Sequence, residues 1–332
     1  MIANKAIEQM TRDEMSALQL KRLQKQVNWA LEKSAYYYKV FSAAGINKDT
    51  IQSLDDIRKI PFTTPDDLEQ VSAFDLLTLP ISAVLRISRQ GGKRTFKKIY
   101  TSGDLAYQIE MLTRVLVAHG INKSTVVGLL GESSDSRLMD VQYALENIGA
   151  TVLLLGTDKE NIKELITDFR IDVLISDFLQ VTKLIVLLQA MGISTEKLYL
   201  PEVICMEEGV LNPNKNYIEQ RLKTRNTIIY NSPSMGCAGS LFSCQEGNGF
   251  HVQEDYFYPE IVAFGSDEII TDSHTVGELV LTALAAEAMP VFRYRTGQAV
   301  MHIDKPCDCG RTLLRVATPT EYEANAGNSA SY

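Results

Sequence analysis

Between residues 104 and 200 the chain alternates two patterns, and this alternation limits the fold more than any other feature. Short, continuously apolar runs, VVGLL (126–130), ATVLLLG (150–156) and DVLISD (172–177), are separated by amphipathic stretches, LAYQIEMLTRVLVAHG (105–120), RLMDVQYALENIG (137–149) and FLQVTKLIVLLQAMG (178–192). A strand that is apolar on both faces has to be covered on both, and helices placed between such strands supply the cover. The pattern therefore predicts a doubly wound α/β core with a mostly parallel sheet and right-handed crossovers. Another helix is expected over NIKELITDFRI (161–171), and a further strand within KLYLPEVICM (197–206). Gly120 and Gly149 stand where a left-handed residue closes a helix.

The flanks read differently. Thr11 followed three residues on by Glu14 is a capping box, and Leu18, Leu20, Leu23, Val27, Trp29, Leu31 and Tyr38 fall broadly on helical spacing after it, so residues 12–44 read as an amphipathic helix packed on the body. Tyr36, Tyr37 and Tyr38 are taken as core and rim packing rather than an aromatic binding patch. Two short capped helices around a proline turn are expected over SLDDIRKIPFTTPDDLEQV (53–71). VLRISRQGGKRTFKKIY (84–100) reads as a β-hairpin turning at Gly91-Gly92. Its six basic side chains, Arg86, Arg89, Lys93, Arg94, Lys97 and Lys98, suit either a phosphate ligand or a solvated edge that discourages strand pairing. The expected organisation is a helical region over 1–83, an α/β core over 84–240, a β-rich segment over 241–318 and a disordered tail over 319–332.

Within the β-rich segment, Cys244 and His251 precede two strand-like runs, and Cys307 and Cys309 follow them. Thiolates and imidazole are the ligands Zn²⁺ prefers, and four of them make a closed tetrahedral structural site. Cys244, His251, Cys307 and Cys309 are therefore the expected zinc ligands, with Cys237 a substitute should His251 point away. The C-x-C spacing is tighter than a usual knuckle, and the alternative is a set of reduced cysteines with a surface histidine. A catalytic zinc, which needs an open position, ranks below both.

Composition excludes several classes. A net charge of −8 and an odd total of five cysteines argue against a nucleic-acid partner and against a secreted disulfide framework. The polar start MIANKAIEQMTRDEM is not a signal peptide, and no apolar run is long enough to span a bilayer. A cytoplasmic protein is expected.

SLDDIRKIPFTTPDDL, HVQEDYFYPEIV, GELVLTALAAEAMPVFRYRTG and CDCGRT resemble the phenylacetate-CoA ligase branch of the AMP-forming acyl-CoA synthetases, over roughly residues 16–316. The resemblance implies the large domain of an adenylate-forming enzyme, a zinc at the cysteines just described, and a reaction joining an acid, ATP and CoA through an acyl-adenylate. It also implies nucleotide-contacting positions. The phosphate loop falls on Ser88–Thr95, with Lys93 and Thr95 retained. The Tyr-Gly-x-Ser/Thr-Glu motif falls on Tyr230 to Ser234, and the ribose-binding aspartate after RYRTG falls on Gln298, close to Arg295.

The departures from the family pattern are specific. The phosphate loop is shortened and poor in hydroxyls, Ser234 replaces the Mg²⁺-binding glutamate, and Gln298 replaces the ribose aspartate. The loop at Glu132, Ser133, Ser134 and Asp135 is acidic where an aryl-acid pocket is glycine-rich. Beyond CDCGRT the chain continues as a short polar stretch, so the small lysine-bearing C-terminal domain is expected to be absent. Adenylation consists largely of positioning phosphates and stabilising their charge, so each loss lowers the rate by orders of magnitude. Taken together they predict a catalytically degenerate ligase-like protein with a structural zinc, acting as a binding or complex-forming subunit. A homodimer, a protein partner and a phosphate-containing small molecule are the expected partners. The alternative is an AMP-forming carboxylate-CoA ligase completed by a separate C-terminal domain, with ATP or AMP, Mg²⁺ and CoA as cofactors.

Overall fold

The computed structural model describes residues 1–90, 96–132, 134–157, 162, 168–194, 200–207, 215–232, 237–247, 249–273 and 275–319. An 11-stranded sheet runs through it, and the alternating stretch builds one half. There β3 (Val126–Leu130), β4 (Thr151–Gly156), β5 (Val173–Ser176), β6 (Glu202–Glu207) and β7 (Arg225–Ser232) pair in parallel in the order β4-β3-β5-β6-β7. Helix α6 (Ser102–Ala118) precedes β3 in sequence, and α7 (Ser136–Ile148), α8 (Phe178–Ala190) and α9 (Lys215–Leu222) lie between the strands. The helix expected over 161–171 falls largely outside the described residues.

Both faces of the inner strands β3, β5 and β6 are buried, as their apolar runs require, while the edge strand β4 buries Leu155 and leaves Leu154 exposed. Side chains alternate across a strand, so Val127, Leu129, Val173, Ile175, Ile204 and Met206 pack under α6 and α7, beside Leu112, Leu116, Val141 and Leu145. Their neighbours Leu130, Leu174, Val203 and Cys205 pack on the other face against Val181, Leu184, Ile185 and Leu188 of α8 and Ile218 and Leu222 of α9. Gly149 closes α7 at φ +84°, and Gly120, just past the end of α6, has φ +91°.

The second half is antiparallel: β8 (Cys237–Phe242), β9 (Phe250–Val252), β10 (Phe257–Val262), β11 (Gly277–Ala283), β12 (Tyr294–Ile303) and β13 (Arg315–Ala317), in the order β10-β11-β12-β13-β9-β8. It joins the parallel half through the β7–β8 pair, so the sheet passes unbroken through residue 240, where the sequence reading changes segment. A separate two-stranded hairpin, β1 (Arg86–Gln90) with β2 (Phe96–Tyr100), pairs antiparallel as its sequence predicts. Two of its basic side chains turn inward: Arg86 pairs with Asp140 on α7, and Lys98 donates to the Met289 carbonyl at 2.8 Å.

The N-terminal region is helical, with α1 (Lys5–Glu8), α2 (Arg12–Lys33), α3 (Ala35–Ala43), a 3-10 turn (Leu54–Lys59), α4 (Pro65–Gln70) and α5 (Ala73–Leu76). Thr11 and Glu14 form the expected capping box on α2, and Thr64 with Asp67 forms another on α4. Leu23, Val27, Tyr37 and Phe41 pack against Leu279, Leu281 and Phe292 of the antiparallel half. Tyr37 lies edge-on to Phe292 at 4.9 Å, while Tyr38 faces solvent. Among the described residues no helix is long and apolar enough to cross a membrane.

The chain before α4 docks on the RYR strand through one buried arginine. Arg293 forms a bidentate pair with Glu260 at 3.0 and 2.9 Å, donates to the Ile60 carbonyl at 2.9 Å, and lies 3.8 Å from the Phe62 ring centroid. Its backbone carbonyl accepts from Thr63 N–H at 3.0 Å, and the following Arg295 N–H donates to Thr63 O at 2.9 Å. Removing one partner of a buried pair leaves an uncompensated charge. Arg293→Met should therefore destabilise the fold by about 3–5 kcal/mol in denaturant unfolding, with 54–64 the first segment to become protease-sensitive.

Candidate metal centre

The antiparallel half has a seam at its two shortest partners. β9 and β13 are three residues each, and their shared register is only Arg315↔His251 and Val316↔Phe250. Few ladder hydrogen bonds hold this junction, and the soft ligands lie around it. Cys244 follows β8 in a turn closed by Gly247 N–H to the Cys244 carbonyl at 2.9 Å. His251 is the middle residue of β9. Cys307 and Cys309 precede β13 in a turn closed by Gly310 N–H to the Cys307 carbonyl at 3.0 Å.

Cys244 Sγ and Cys307 Sγ are 3.7 Å apart, Cys309 Sγ and His251 Nε2 are 3.4 Å apart, and all four ligand atoms lie within 4.8 Å of one another. A tetrahedron of Zn–S bonds near 2.3 Å has edges of about 3.8 Å, so the donor set and its dimensions fit a four-coordinate soft metal. Cys244 and His251 are buried, Cys307 is nearly so, and Cys309 is partly exposed. Four protein ligands leave no open position, the arrangement of a structural rather than a catalytic site. His251 lies against Phe242 with ring centroids 5.4 Å apart, and its Nδ1 has no hydrogen-bond partner among the described residues.

Without metal the thiols share protons unequally. The hydrogen bond from Cys244 is the largest influence holding the Cys309 thiol down to about 2, helped by His251 and Arg311. The same bond, with burial, pushes Cys244 well above the ordinary thiol range, and burial pushes Cys307 up.

Arg311 and Glu8 were not singled out from the sequence. Arg311 is buried, stands beside the Cys309 sulfur, pairs with the fully buried Glu8, and lies over the Phe242 ring with 5.6 Å between guanidinium and centroid. Its place directly after CDCG was a usable signal, since a cation two residues from a thiolate ligand can offset that ligand's charge. Nothing in the sequence pointed to Glu8, 303 positions away.

Only part of the set of nucleotide-contacting positions implied by the resemblance falls among the described residues. Lys93, Thr95 and Ser234 lie outside the described residues, as do the side chains of Tyr230 and Cys237. Tyr230 is on β7, opposite Glu207 of β6 and Leu241 of β8. Arg295 on β12 pairs with Glu278 at 2.8 Å and lies 4.7 Å from the Phe62 centroid. The Gln298 side-chain amide donates to Thr296 O at 3.4 Å, and its backbone N–H donates to Thr296 Oγ1 at 3.2 Å. Glu207, the carboxylate at the end of β6 opposite Tyr230, accepts from the first N–H of α8 at 2.8 Å; Glu208 is outside the described residues.

No family model matches the chain. It is 29% identical over 315 residues to the phenylacetate-coenzyme A ligase of Thermus thermophilus, covering 93% of this chain and 71% of that protein. It is 31% identical over 296 residues to the enzyme of the same name from Escherichia coli, covering 87% and 68%. Among solved structures it is similar to 2-hydroxyisobutyryl-CoA ligase in complex with 2-HIB-AMP and CoA, with a TM-score of 0.84 at 18% identity over 94% of this chain and 75% of that one.

Metal and protons compete for Cys244 and Cys307, so metal affinity should strengthen as pH rises and weaken as it falls. Loading at neutral pH should release protons as thiols become thiolate ligands, read by calorimetry in two buffers of different ionisation enthalpy.

Proposed function

The chain belongs to the phenylacetate-coenzyme A ligase family, and from that premise we propose that it is a non-adenylating member, a zinc-stapled scaffold acting as a binding or complex-forming subunit. The observation that carries this reading is the state of the β12 segment. The ribose aspartate that the family resemblance implies is replaced by Gln298, whose amide is turned back on its own backbone at Thr296. A neutral amide cannot accept a charge-assisted pair of hydrogen bonds from two ribose hydroxyls. The neighbouring cations do not compensate: Arg293 is bound to Glu260 and Arg295 to Glu278, and both stack on Phe62.

Ser234 extends the argument. A hard divalent cation bridging ATP oxygens is held by carboxylate, which serine cannot supply. Glu207, paired in register with Tyr230 across the β6–β7 ladder, is engaged at the start of α8. The zinc reading is supported by the donor set, the tetrahedral dimensions and the buried setting at the β9–β13 seam. When bound, the metal would cross-link the loop after β8, β9 itself and the loop before β13, and supply no Lewis-acid chemistry to a substrate.

Calorimetric titration with ATP and Mg²⁺, then with AMP and CoA, tests the nucleotide side of this reading. No heat of binding is expected up to millimolar nucleotide. Mg²⁺-dependent ATP binding would overturn it in favour of a carboxylate-activating ligase that works through an acyl-adenylate. For the metal, elemental analysis should find about one zinc per chain. Cys307→Ser should lose the metal and lower the melting temperature, while Cys205→Ser, a buried cysteine outside the cluster, should retain it.

A further inference from the structure

The loop that carries Cys307 and Cys309 also holds the beginning of the chain. Three consecutive residues after the last cysteine are bonded to it. The Gly310 carbonyl accepts from Gln9 Nε2 at 3.0 Å. Arg311 pairs through Nε with the Glu8 carboxylate and donates from Nη2 to the Met1 carbonyl at 2.7 Å. Thr312 donates from its N–H to the Glu8 carbonyl at 3.0 Å and from its hydroxyl to the Met10 carbonyl at 2.7 Å. Ile7 and Met10 pack against the same apolar cluster as Cys244, Cys307 and Leu313.

Glu8 is the node on the other side. Besides Arg311, its carboxylate accepts from Ala3 N–H at 2.9 Å and Asn4 N–H at 2.8 Å, folding the first turn of the chain around a fully buried charge. The other fixed point of this turn is Asn4, which donates to Glu110 on α6 at 2.7 Å and leaves residues 8–10 to the cysteine loop. A buried carboxylate that loses its cation is expensive, so Glu8 and Arg311 are held in place together or leave together. The residues between Ile303, the end of β12, and Arg315, the start of β13, have no strand pairing in the sheet. They are held instead by Val252 N–H to the Leu314 carbonyl at 2.9 Å, by Leu314 N–H to the Glu254 carboxylate and by the bonds to the N-terminus just described, with Cys307 and Cys309 in their midst.

We propose that residues 1–10 form a clasp whose docking is linked to metal occupancy of the Cys244, His251, Cys307 and Cys309 cluster, with Arg311 as the positioning residue that joins the two. The inference rests on the zinc reading above and adds a second consequence of it. Metal fixes Cys309, and so fixes Arg311 two residues on, in the one place where it can meet Glu8. Arg311 in turn offsets the negative charge of a site with three thiolates, which carries one more negative charge than Zn²⁺ neutralises. Linkage is reciprocal: losing the metal loosens the N-terminal segment, and losing the clasp weakens the metal by the same factor. An N-terminal segment released in this way would change the surface the protein offers to a partner without disturbing the parallel half of the sheet.

Hydrogen exchange read by mass spectrometry on the full chain, zinc-loaded and chelator-stripped, tests this directly. Stripping should speed exchange of peptides covering 3–12 by about tenfold or more, while peptides from β3, β5 and α7 stay within twofold. In parallel, zinc transfer to a chromogenic chelator should be about tenfold faster from Arg311→Met than from the unaltered chain, with Arg311→Lys between them because it keeps the charge and loses the fork. If 304–312 quickens on stripping while 3–12 does not, the clasp is overturned and the zinc reading stands. If exchange rises throughout the chain, the metal is a global staple and the local linkage is overturned. A chain that takes up no zinc overturns both readings.

Discussion

The whole sheet depends on a junction of two short strands. β13 inserts three residues between β12 and β9, and through it the antiparallel strands β10 to β12 become continuous with the parallel half. Backbone pairing over so few residues is weak, and the surroundings compensate. Val316, Phe250 and Val252 are fully or almost fully buried, and the four soft ligands sit at the ends and centre of this junction. A metal held there would do what a disulfide does in an oxidising compartment, tying chain segments 63 positions apart at the point where the ladder is thinnest.

The same economy appears in stretches that carry the family resemblance. In HVQEDYFYPEIV the polar residues are buried and structural. Gln253 donates to the Met111 carbonyl at 3.1 Å, Glu254 pairs with Arg12, Asp255 takes Arg114 in a two-pronged pair, and Glu260 takes Arg293. Each ties the antiparallel half to α6, to α2 or to the strand two places away. The SLDDIRKIPF stretch is likewise a docking piece, its Ile60 carbonyl and Phe62 ring receiving Arg293. Charged motifs of this kind look like binding machinery in a sequence, and they turn out to be the pairs by which a large domain fastens its layers.

Much of this was legible beforehand. The doubly wound half follows from strands apolar on both faces, and Val203 to Met206 show why: every residue in that run is buried, with alternate ones in different cores. Caps at Thr11 and Thr64 were readable because a cap is local, set by residues three apart. The cluster of Cys244, His251, Cys307 and Cys309 was readable because three cysteines and a histidine bracket one β-rich segment, which folds back on itself. Harder to foresee was the inward turn of Arg86 and Lys98 on a hairpin whose basic residues, taken alone, read as a solvated or phosphate-facing surface.

The sequence by itself determined the layered α/β architecture, the helix starts and the identity of the soft ligands, because periodicity, capping and ligand chemistry are properties of neighbouring residues. Only the tertiary structure decided that the two halves share one sheet, that Arg293 and Arg295 are consumed by Glu260 and Glu278, and that the first ten residues rest on the cysteine loop through Glu8 and Arg311. Those outcomes depend on which charges meet when distant segments are buried together. A carboxylate at position 8 and a guanidinium at 311 have no common pattern in the chain; their pairing is imposed by the cost of burying either one alone.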